Sequence, residues 1–88
     1  MALRDALQYE IEGRLRDVPL NKCQVSVGYE AGPRIVRVGV CIDEYTWENR
    51  EKVIDRLLAF EADHRDELAV DFDIIPLEAV NTSGFSEL

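Results

Sequence analysis

The sequence predicts an α+β domain in which two helices cover one face of a three-stranded mixed sheet. Two stretches repeat apolar residues at helical spacing, three alternate them at strand spacing, and their order along the chain is α-β-β-α-β. Eighty-eight residues suffice for one core, and 47% hydrophobic residues is a globular rather than a disordered composition. Residues 1–77 read as one domain and 78–88 as a C-terminal tail, docked on its own domain or on a partner subunit.

Leu3, Leu7, Ile11, Leu15 and Val18 fall on one stripe of a helix over about residues 2–17, which Pro19 ends. From Cys23 the period becomes two. Cys23, Val25, Val27 and Tyr29 alternate with Gln24, Ser26 and Gly28, and after the turn-forming "EAGP" come Val36, Val38, Val40 and Ile42. The two runs form a hairpin, with Gly32 expected to take positive φ. A loop over residues 30–33 would set Tyr29 opposite Arg34, Val27 opposite Val36, Val25 opposite Val38 and Cys23 opposite Val40. Cys41 then points away from Cys23, so a disulfide would need a slip or a bulge at Gly39, and free thiols are expected.

Thr46 is placed as N-cap of a second helix over about 47–65, with Glu48 in its first turn and Val53, Ile54, Leu57, Leu58 and Phe60 as its apolar residues. Leu68, Val70, Phe72 and Ile74 alternate along a third strand that ends at Pro76. A strand–helix–strand connection is right-handed, which makes the second and third strands parallel and leaves both helices on one face. This order resembles a ferredoxin-like module lacking its first strand. It is similar in outline to the C-terminal domains of cation-efflux transporters, whose several histidines this chain does not have.

Net charge is −8 and is uneven: residues 1–42 hold six Lys/Arg against five Asp/Glu, residues 43–88 four against thirteen. Phosphate neutralisation drives nucleic-acid binding, so the expectation is no nucleic acid and no membrane surface, with a basic protein as a possible partner. No apolar run approaches the roughly 18 residues of a membrane span, and Arg4, Asp5 and Glu10 interrupt the segment that an export signal would need. The setting read from this is cytoplasmic.

The chain's one histidine, His64, lies among Glu61, Asp63, Asp66 and Glu67. Glu61 and His64 have the spacing of a di-iron bundle, but such a site needs two such pairs, and a solvated helix end accounts for the cluster more simply. Cys23 and Cys41 lack the close pairing of a zinc site, His64 sits across the sheet from Cys41, and no glycine opens a helix to cradle phosphate. No catalytic group, metal site or cofactor is therefore assigned. A non-enzymatic interaction module is expected.

Two surfaces remain. One is the sheet face opposite the helices, where Ile35, Arg37, Cys41, Asp71, Asp73 and Ile75 mix apolar and charged groups. With Phe85 of the tail, these residues are read as a homodimer interface. The simpler alternative is that Arg37 and Lys22 pair with Asp71 and Asp73 and water covers the rest. The other surface, at the end of the second strand, gathers Asp43, Glu44, Tyr45, Trp47 and Glu48, where α/β sheets tend to place small-ligand or catalytic pockets.

Overall fold

Val25 and Val27 turn to the same side of the sheet as Val36, Val38 and Val40, and this shared phase sets the architecture. The structure, a computed structural model, describes residues 3–79 and the backbone of residues 86 and 87. Its elements are α1 (Leu3–Leu15), β1 (Cys23–Glu30), β2 (Ile35–Ile42), α2 (Trp47–Asp63), β3 (Ala69–Pro76), a single 3-10 turn (Leu77–Ala79) and a short β4 (Ser86–Glu87). β1 and β2 are antiparallel, and β2 and β3 are parallel. Leu7, Ile11 and Leu15 of α1 and Val53, Leu57 and Phe60 of α2 close over the valine face. The fold is the α+β two-layer sandwich expected, a truncated ferredoxin-like arrangement.

Both helices end for local reasons. α1 gives way to a turn in which Val18 donates its amide to the Leu15 carbonyl, just before Pro19. α2 starts where the Thr46 hydroxyl accepts the Asn49 amide, and it ends at Asp63, where the His64 amide reaches back to the carbonyls of Phe60 and Glu61.

The hairpin differs from its predicted register. Cys23 pairs with Ile42, Val25 with Val40, Val27 with Val38 and Tyr29 with Val36, so the four-residue loop is Ala31–Arg34 rather than residues 30–33. The partner of each β1 residue moves by two positions, an even slip, so the phase of both strands is retained. The left-handed residue is Arg34, with φ of 55°, and not Gly32. A turn followed by one left-handed residue is a common way to close a four-residue hairpin loop. The Arg34 carbonyl is engaged as well, accepting the Ala69 amide at the start of β3.

Strand pairing runs without interruption past Gly39, so no bulge brings the cysteines together, and both thiols are free. The sheet has one more member than expected: β4 pairs antiparallel with Gln24 and Val25, giving the order β3-β2-β1-β4. β3 is therefore the edge strand on its side of the sheet among the described residues.

Candidate functional site

The sheet face opposite the helices is built by the other phase of the same strands. On it, Arg37 is central. Its Nε donates to Glu30 Oε1 at 2.8 Å and its Nη1 donates to Asp71 Oδ2 at 2.9 Å, tying β1, β2 and β3 together at the surface. Asp71 lies directly across from Arg37 in the parallel pairing, and Gly28 lies across from it on β1. Because Gly28 and Gly39 have no side chain and Ser26 a short one, the face dips into a shallow cleft of about 330 Å³ rimmed by Arg37, Asp71 and Asp73. Ile35 and Ile75, toward opposite ends of this face, are half-buried. Asp73 makes no ion pair among the described residues.

Cys41 departs from the reading given to it. It was placed with the exposed interface residues, but it is fully buried, with 0% of its surface exposed. It stands between Gln24 and Ile75 in the strand pairing. Burial pushes its thiol pKa up, and burial is also the main reason that Cys23 is pushed up to about 11. Neither is poised as a nucleophile at neutral pH. Phe85 lies outside the described residues.

The residues at the end of β2 diverge instead of converging. Asp43 leans toward the start of β1, where its carboxylate accepts the Lys22 amide at 2.9 Å, the Glu44 amide at 2.9 Å and the Asn21 side-chain amide at 2.8 Å. The Lys22 amide leads in holding the Asp43 carboxyl below the usual carboxylate range, with Asn21 and Glu44 adding to it. Tyr45 leans the other way, its hydroxyl donating to the Ile74 carbonyl of β3 at 3.1 Å. Trp47 is 68% exposed, and the Arg50 guanidinium lies over both rings, 5.1 Å from the centroid of Tyr45 and 5.5 Å from that of Trp47. Glu44 and Glu48 are exposed. Asn49 is buried because its side-chain amide donates to the Glu44 carbonyl at 2.8 Å, which pins the loop to the helix.

His64 is not the solvated helix end expected of it. It is half-buried, and its Nε2 lies 3.1 Å from both oxygens of Glu10 on α1. A carboxylate has no proton to give, so Nε2 is the donor. The same carboxylate accepts from Arg14 at 2.9 Å, and Arg14 also donates to Asp63 at 2.6 Å. Burial alone would push Glu10 upward, but the hydrogen bonds and charges of His64 and Arg14 outweigh it and hold the carboxyl below its ordinary value. The His64 and Phe60 rings are 4.6 Å apart, and the Arg14 guanidinium lies 5.5 Å from the Phe60 centroid. This network locks the ends of the two helices together. Among the described residues there is no group of three or more His, Cys, Asp or Glu side chains arranged to hold a metal ion.

Sequence reading missed Arg50, the Glu10–His64 link and the second apolar stripe of α2. The last of these had a signal: Trp47, Ile54 and Leu58 are spaced by seven and four, one line along a helix and a different one from Val53, Leu57 and Phe60. No helix of the described residues is long and apolar enough to cross a membrane. Compared with protein-family models, with curated proteins and with solved structures, the chain matches none.

Proposed function

We propose that this chain is a small acidic protein–protein interaction module, non-enzymatic, that works in the cytoplasm and self-associates through the sheet face opposite its helices. The observation that carries the reading is the cleft over Ser26, Gly28 and Gly39, a concave floor with almost no side chains, framed by Arg37, Asp71 and Asp73. Ile35 and Ile75 supply apolar surface beyond it. Across a two-fold axis, Arg37 of one copy can meet Asp73 of the other, which makes the face complementary to itself. The thirteen acidic groups of residues 43–88 favour a basic protein as any further partner.

Light scattering over a concentration series tests this directly. The unmodified chain is expected to reach the mass of two copies, and Arg37→Glu, which sets a third carboxylate beside Glu30 and Asp71, is expected to stay at the mass of one. A chain that remains a monomer at every concentration removes the self-association reading.

A further inference from the structure

Among the described residues, the large apolar side chains left most open to water lie on the helical layer, not on the sheet face. On α2 these are Trp47 and Leu58, with half-buried Ile54 between them on the same stripe. The opposite side of α2 is turned to α1, as Arg56 reaches Asp17 at 2.9 Å and Asp63 reaches Arg14. The Trp47 stripe therefore faces away from α1, over β3. Two contacts fix it there: the Tyr45 hydroxyl sits on the Ile74 carbonyl, and Arg50 bridges Tyr45 to Trp47. Val70 and Phe72 of β3 are only half-buried, whereas their neighbours Val36 and Val38 on β2 are buried.

Among the described residues, the backbone beside this stripe is open as well. Ala69 donates its amide to Arg34 at the start of β2, so by strand alternation the amides and carbonyls of residues 69, 71, 73 and 75 turn toward β2. Those of Val70, Phe72 and Ile74 turn outward, and the Tyr45 hydroxyl on Ile74 has the parity this requires. At Val70 and Phe72, then, a strand edge with outward-facing donors and acceptors runs alongside an exposed apolar flank. Natural sheets usually blunt such an edge.

The geometry points to β3 as a docking edge for an extended segment of a basic partner protein, one in which lysine or arginine alternates with apolar residues. Charge selects this occupant. A second copy pairing along the middle of β3 would bring Asp71 and Asp73 against their own equivalents, and like charges directly opposite destabilise a strand pair. A segment with alternating basic residues reverses the sign: its cations lie beside Asp71 and Asp73 on one side of the sheet, and its apolar residues cover Phe72, Trp47 and Leu58 on the other. Arg50 is a cation on the helical side near Ile74, so the basic positions belong on the opposite face, beside Asp71 and Asp73. This inference goes beyond self-association and stands on a different surface, although the two share Asp71 and Asp73.

The probe is an acetylated ten-residue peptide alternating lysine and valine, titrated against the full chain and against Arg37→Glu. The expected result is a shift in the fluorescence of Trp47, the only tryptophan, together with slowed hydrogen exchange at the Val70 and Phe72 amides. Arg37→Glu should bind at least as well, which keeps the outcome independent of self-association, and Asp73→Lys should weaken binding about tenfold. Three results would overturn the proposal. These are equally tight binding by a peptide methylated on alternate backbone amides, which shows charge attraction alone; equal binding by a glutamate–valine peptide; and full protection of the Val70 and Phe72 amides before any peptide is added.

Discussion

The two flanks of α2 are finished in different ways. Toward α1, Arg56 meets Asp17, Asp63 meets Arg14 and His64 meets Glu10, a charged border around the fully buried Phe60. Toward β3, Trp47, Ile54 and Leu58 border an edge strand whose own apolar residues are half-buried. The first seam is closed within the chain by groups distant in sequence. Among the described residues the second is closed only by Tyr45 and Arg50 at one end. A chain this short cannot cover every apolar surface it makes, and among the described residues part of what stays uncovered is grouped beside an edge strand.

The comparison breaks first if the α1 seam is not the stable one. Replacing Phe60 with alanine is expected to cost about 3–5 kcal/mol in urea unfolding, a large part of the stability of a small domain. A loss below about 1 kcal/mol would mean that the helices barely rely on each other.

A smaller effect sharpens what the charges do. Glu10→Gln should cost about 1 kcal/mol at pH 7, since Glu10 is partly exposed and solvent screens its two pairs. The folded carboxyl lies below its ordinary value, so its contribution is present at neutral pH and fades as the pH drops through and below the usual carboxylate range of about 4. The gap between the two proteins should therefore close on acidification. A gap unchanged at low pH would assign the seam to packing instead.

The smallest effect belongs to the other flank. Trp47→Ala and Leu58→Lys should each shift stability by no more than about 0.5 kcal/mol, because Trp47 is mostly in water and Leu58 nearly half exposed. A loss several times larger in thermal unfolding would show that the chain itself closes this flank.

Much of the fold could be read from spacing. The strand phase of Val25, Val27, Val36 and Val38, the Thr46 cap and the parallel return of β3 follow from period, cap chemistry and connection handedness. The hairpin register was misjudged because "EAGP" offers two residues fit for special geometry, and the turn placed its left-handed residue at Arg34, outside that quartet. Cys41 was placed on an exposed face because alternation gives the side of a sheet on which a residue lies, not whether anything covers it. Of the candidate sites, the sheet face kept Arg37, Asp71 and Asp73 together, whereas Asp43 and Tyr45 turned toward opposite edges.

The sequence alone determined which residues share a face, because periods of two and 3.6 are properties of the backbone and need no partner to be legible. Only the tertiary structure decided which distant groups would meet. Glu10 and His64 are 54 positions apart, and nothing local marks either for the other. The same holds for the open flank of α2, since the exposure of Trp47 and Leu58 depends on where α1 and β3 come to rest against the helix.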